Sequence, residues 1–254
     1  MRILALCLVA ACGRVGFDSS ARGDGSTGDG AHDGVTGDVA GDALPSDLIG
    51  YWPLDGTIHD VVSGTTSPCT APQCPIAQVA GHISAAMRFD GVDDCVYLAA
   101  TAAMQPPQFT IAIWANEDSP LGMRECQVSK RADNGGGMPM NSWQLETTAT
   151  PAQEAFTSYH GGAGNDQITS GASAIQGQTW QHIVATYDGL NERFYVDGVR
   201  QNSVGNSSPV YFDGHDIALG CDDNNGNSEH YQGMLDELRI YNRALSQAEV
   251  QALP

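Results

Sequence analysis

Asp236 poses the sharpest chemical question in this 254-residue chain. It sits in Gly233-Met234-Leu235-Asp236-Glu237-Leu238-Arg239-Ile240-Tyr241, where strand alternation puts it on one face with Met234, Leu238 and Ile240. A carboxylate among apolar neighbours needs a metal, an ion partner or hydrogen bonds, because burying it bare costs several kcal/mol. Two other acidic groups stand out. Asp90, Asp93 and Asp94 crowd one turn, and Asp222-Asp223-Asn224-Asn225 resembles part of an EF-hand loop. The second fails the spacing, since Gly226 falls where a ligand is required. Both read as turns whose side chains satisfy local amides.

Catalytic patterns are missing. Retaining glycosidases need two carboxyls about 5–5.5 Å apart. The segments around Glu125 and Glu146 offer one acid each, and Asp236 and Glu237 point to opposite faces. No serine lies in a nucleophile elbow. For sugar binding, exposed aromatics beside amides and acids are wanted. Trp143, Tyr159, His160, Tyr211, His230 and Tyr231 are the loop candidates, whereas Trp52, Trp114 and Trp180 read as core. No ligand-binding residue is singled out among them.

The cysteines read as structural. No Cys-x-x-Cys or paired-histidine spacing suits zinc, and an exported chain oxidises its thiols. Cys69 and Cys74 enclose a four-residue loop and form the first expected bridge. Cys126 and Cys221 form the second, which leaves Cys95 as a buried thiol.

These residues must be positioned by a mostly β body. From Leu48 onward, short alternating apolar segments are separated by Gly, Asn and Asp turns, about eleven in all. Asp197-Gly198 is a two-residue hairpin signal. The one legible helix begins at Ser246, where Ser246 and Glu249 make a capping box and Leu245 and Val250 a hydrophobic staple. The expected fold is all-β, a two-sheet antiparallel sandwich closed by this short helix.

The N-terminal quarter is different. Residues 1–12 carry one arginine, an apolar run and small residues, the pattern of a secretory signal. Val9-Ala10-Ala11-Cys12 resembles the bacterial lipobox, which makes Cys12 the lipidation site. Residues 13–47 repeat Asp and Gly with no apolar periodicity and read as a flexible linker, with a globular domain over 48–254. The expected location is a bacterial outer membrane or cell surface, with membrane contact only through the lipid. The formal net charge of −19 repels phosphate backbones, so nucleic acid is excluded as a partner.

Five blocks together carry a family resemblance. They are Leu48-Ile49-Gly50-Tyr51-Trp52-Pro53-Leu54-Asp55, Met87-Arg88-Phe89-Asp90-Gly91-Val92-Asp93-Asp94, Phe109-Thr110-Ile111-Ala112-Ile113-Trp114, the stretch Trp180–Gly189 with Phe194–Gly198, and Gly233–Ser246. In this order they resemble laminin-G-like jelly rolls of the concanavalin A-like superfamily. The resemblance implies a jelly-roll connection and a non-catalytic module for glycans or extracellular polymers. A protein–protein adhesion role and a degenerate glycoside hydrolase are the alternatives. It also implies one structural calcium where the first and last strands meet, with Asp60 and Asp236 as ligands and backbone carbonyls supplying the rest. Turn amides are the other answer for Asp236, and the two stay open.

Overall fold

The structure is a computed structural model. It describes residues 44–118, 124–133, 139–149, 152–161, 164–169, 176–222 and 229–254. The chain divides into two units, Met1–Asp42 and Ala43–Pro254, and every described residue lies in the second. Cys12 and most of the expected linker lie outside the described residues.

Fourteen strands, one short 3-10 helix (Ala102–Met104) and one α-helix are described. They are β1 (Leu48–Trp52), β2 (Ile76–Ala80), β3 (Ala85–Asp90), β4 (Val96–Leu98), β5 (Phe109–Glu117), β6 (Glu125–Asp133), β7 (Pro139–Ala149), β8 (Ala152–His160), β9 (Gly164–Thr169), β10 (Gln181–Tyr187), β11 (Asn191–Val196), β12 (Val199–Gly205), β13 (Ile217–Leu219), β14 (Gln232–Tyr241) and α1 (Gln247–Ala252). One sheet runs β12-β11-β10-β5-β14-β3-β2, with β1 also paired to β14. The second runs β4-β13-β6-β7-β8-β9. Neighbouring strands are antiparallel, so the architecture is the expected jelly-roll sandwich.

The core lies between the sheets and follows the period of two. Phe109, Ile111, Ile113 and Ala115 of β5, with Ile183, Ala185 and Tyr187 of β10, face inward. Opposite them stands the row Val128, Leu145 and Phe156 of β6, β7 and β8. The outward residues of β5 and β10 include Ala112 and Val184. These pack with Tyr195, Tyr241, Leu245 and Val250 in a smaller cluster under α1. Ser246 and Glu249 form the capping box, which docks the helix by satisfying its first amides. Asp197 and Gly198 join β11 to β12 with φ of 50° and 71°, the two left-handed residues of a type I′ turn.

Two strands escaped the sequence reading. β2 is an edge strand with Ile76 largely exposed, and β9, at the other sheet's edge, reads Gly-Asn-Asp-Gln-Ile-Thr. Both are held by one ladder and carry no full apolar face, so alternation gives no signal.

The second disulfide differs from the expectation. Cys69 pairs with Cys74, but Cys221 pairs with Cys95 and not with Cys126. Strand β13 lies between β4 and β6, so either neighbour offered a cysteine. Val96 faces Leu219, which brings the flanking Cys95 and Cys221 to a Cα–Cα distance of 5.3 Å. Cys126 is buried as a free thiol, and burial pushes its pKa well above the ordinary value.

Candidate functional site

A β-bulge in β14 decides where the key carboxylate points. The register of β14 against β5 shifts between Asp236 and Arg239, and Glu237 has φ of 57°. Leu235 faces the core before the bulge, and Leu238 and Ile240 face it after. The simple alternation that grouped Asp236 with Leu238 and Ile240 therefore fails. Asp236 lies directly across from Trp114 on β5, and Trp114 across from His182 on β10. The three form a row on the outward side of the larger sheet.

Trp114 is the centre of a ring stack. His82, from the turn between β2 and β3, lies 3.4 Å from it between ring centroids at an interplanar angle of 15°. His182 lies 4.9 Å away at 19°. Trp180 meets His82 edge-on. Trp114 is thus half-buried on the outer face and not in the core, contrary to the sequence reading. Its Nε1 donates to Pro254 O at 2.9 Å, which ties the stack to the segment after α1.

Beside the stack is a cavity of about 240 Å³. Trp114, His182, Asp197, Gly198, Gln251 and Leu253 line it together with Val250. His182 is 4% exposed, and its Nε2, shielded from solvent, has no hydrogen-bond partner. Burial lowers its pKa to about 4, with the charges of Arg239 and His82 adding, so the ring is neutral at physiological pH. The cavity therefore presents the Trp114 and His182 rings, the Asp197 carboxylate and the Gln251 amide, and the His182 Nε2 is closed off from it. It is smaller than the ~300–1,000 Å³ of drug-sized pockets and suits a compact polar ligand with an apolar face.

The two expected metal ligands have separate partners. Asp60 Oδ1 accepts from the amides of Tyr51 (2.9 Å) and Val62 (3.0 Å), and its Oδ2 from the amide and hydroxyl of Ser63 (3.3 and 2.5 Å). Four donors fill the roughly four lone-pair sites of a carboxylate, so Asp60 does not fit a cation. Asp236 Oδ2 accepts from the amides of His82 and Ile83, both at 2.9 Å. Its Oδ1 is buried without a partner. Burial raises its pKa to about 6 against those two amides, with Glu237 and Asp55 adding to the rise. Gly81 makes the approach possible, since a Cβ there would come within 2.8 Å of Oδ2. Among the described residues, the one cluster of three acids with metal-ligand spacing is Asp90, Asp93 and Asp94. There Asp90 accepts from the amides of Val92 and Asp93, and Asp94 from that of Asp90. Asp222 accepts from Asn141 Nδ2, and residues 223–226 lie outside the described residues.

The loop aromatics divide. Trp143, His160 and Tyr231 are buried in or between strands. Tyr159 and Tyr211 meet edge-on at the rim of the second sheet. The structure also gathers acids that the sequence kept apart. Glu117, Glu125 and Glu154 lie inside the sandwich near Gln127, Thr147 and Tyr231, and none of these side chains is exposed. The three carboxyls form an interior cluster. Sequence missed it because it joins the ends of three strands.

Comparison with known proteins matches this architecture. The family model described as the concanavalin A-like lectin/glucanases superfamily matches residues 90–251. A search of curated proteins finds no sequence match. Among solved structures, the binding domain of Paraclostridial Mosquitocidal Protein 1 is similar over 81% of this chain and 51% of that one, at 16% identity and a TM-score of 0.64. Domain 4 of the Geobacillus stearothermophilus GH43 extracellular arabinanase AbnA, solved with arabinotriose, matches over 81% of this chain and 97% of its own, at 18% identity and 0.60. The botulinum neurotoxin serotype D ligand-binding domain, solved with N-acetylneuraminic acid, matches over 81% and 50%, at 12% and 0.61. The chain spans about half the length of the two toxin domains. At these identities the likeness to solved structures is one of fold. The family match covers well over half of the sequence, and the chain belongs to the concanavalin A-like lectin/glucanases superfamily.

Proposed function

We propose that this chain is a non-catalytic binding module, displayed at a bacterial surface through Cys12, that takes a saccharide unit of an extracellular polymer into the Trp114 cavity. The carrying observation is the lining of the cavity, which sets Trp114, Val250 and Leu253 beside the Asp197 carboxylate and the Gln251 amide. A sugar has C–H groups for the apolar residues and hydroxyls for the carboxylate and the amide. Among the described residues no lysine or arginine lines the cavity, and the net charge is −19, so neutral sugars are favoured over acidic ones. Two relatives in fold were solved with saccharides, which supports the ligand class.

The test is a glycan array followed by calorimetric titration. Neutral glycans are expected to bind and sialylated ones not. Gln251→Ala removes the amide from the cavity wall, and it is expected to raise Kd about ten-fold. Equal affinity in this variant would refute the placement. Metabolic labelling with a palmitate analogue, lost in Cys12→Ser, tests the anchor.

A further inference from the structure

The chain has a single lysine, and it is not on the surface. Lys130 of β6 is fully buried, and its Nζ donates to the main-chain carbonyls of Arg131, Asp213 and His215. Two of these belong to the connection between β12 and β13, residues 206–216. Other side chains hold the same segment. Gln105 Nε2 donates to Asp213 O at 2.6 Å, Tyr187 OH donates to Ser208 O at 2.7 Å, and His160 Nδ1 hydrogen-bonds Ser208 O. Tyr211 N donates to Tyr159 O at 2.9 Å. A polar loop tied down at this many points is already in one conformation, so a ligand need not order it on binding.

This loop displays Tyr211, Asp213, Gly214 and His215 around an open cavity of about 380 Å³. That volume lies in the range of small-molecule sites. His215 Nδ1 is held by Asp213 Oδ1 at 2.8 Å, which leaves Nε2 for a ligand. The Tyr211 ring, braced edge-on by Tyr159, supplies an apolar plane with a polar tip. Gly214 has no side chain to crowd the opening. Among the described residues, no arginine or lysine side chain lines the cavity.

We propose that the cavity formed by Tyr211, Asp213, Gly214 and His215 is a second saccharide subsite, separate from the Trp114 cavity, so that one chain grips a neutral polysaccharide at two points. The ligand class and the two-point grip rest on the function proposed above; the second cavity itself does not. Lys130 is its positioning residue. Two linked weak sites hold a polymer far better than either one alone, because the second contact forms at high effective concentration.

The test titrates the full chain with arabinotriose, xylotetraose and mannotetraose, and runs it in native gels cast with arabinan, xylan and mannan. Two equivalents of an oligosaccharide per chain are expected. The double variant Tyr211→Ala, His215→Ala is expected to remove one equivalent and to weaken polymer binding about ten-fold or more. Gln251→Ala is expected to weaken the other about ten-fold. Lys130→Met, checked for native near-UV circular dichroism, is expected to weaken only the equivalent that the double variant removes. A single equivalent that survives the double variant overturns the second subsite and leaves the Trp114 site standing. A single equivalent lost in the double variant and unweakened in Gln251→Ala supports the loop site and overturns the Trp114 reading. Absence of binding to every probe overturns both.

Discussion

Stability should fall as pH rises from 5 to 8, and Glu125 should account for much of the fall. Its side chain is buried at the start of β6. Oε2 accepts from the Gln232 amide at 2.9 Å, and Oε1 has no partner. Burial raises its pKa from 4.5 to about 7 against that one amide, and the nearby Glu117 and Asp118 charges push the same way. Between about pH 4.5 and about 7 the folded protein therefore holds a proton that the unfolded chain has released. The stabilisation is fully present below about pH 4.5, declines through neutrality and is gone above the folded value. The interval corresponds to about 3 kcal/mol at about 1.4 kcal/mol per pH unit. For a domain of this size that lowers Tm by about 6–12 °C. Glu229, also raised to about 7 by burial first, adds in the same direction, and His182, lowered from 6.5 to about 4, opposes the fall only below about pH 6.5. Mutual repulsion of a chain with net charge −19 adds to the fall too, but half-molar salt screens surface charges and leaves the buried term. The assay is thermal melting from pH 5 to 8, with and without salt, on wild type and Glu125→Gln. The neutral isostere should flatten the slope and gain stability at pH 8. A Tm that holds level or rises across this range, or a slope unchanged in Glu125→Gln, would refute the reasoning.

Four other outcomes follow from packing, cross-linking and capping. Gly220 has φ of 78° and a Cβ there would overlap the Phe89 ring, so Gly220→Ala should cost about 2–4 kcal/mol in urea unfolding. Cys126 should resist alkylation in the native protein and react only in denaturant, as located by peptide mass mapping. Opening the Cys95–Cys221 bridge with paired alanines should lower stability by about 2–4 kcal/mol, since the bridge closes a loop of sequence separation 126. Ser246→Ala removes the cap of α1 and should cost about 1 kcal/mol by the same urea measurement.

The N-cap, the hairpin turn and most strands were legible because their causes are local. Ser246 and Glu249 satisfy amides within one helical turn, Asp197-Gly198 accepts left-handed φ with little strain, and alternation in Phe109–Ala115 needs only an apolar layer to face. Cys69 and Cys74 lie close along the chain, whereas the partner of Cys221 depended on which of two neighbouring strands presented a thiol at the right distance. The site was decided in three dimensions. One extra residue at Glu237 exchanged the faces of β14 and turned Asp236 toward Trp114. A bulge is a mismatch between two strands, so it has no counterpart in either strand read alone. Trp114 carries the same aromatic signal whether it is core or surface; the His82 turn, His182 and the segment after α1 arrive from distant parts of the chain to make it a cavity wall. Lys130 is the single lysine of the sequence, and only the fold brings two remote carbonyls to its ammonium.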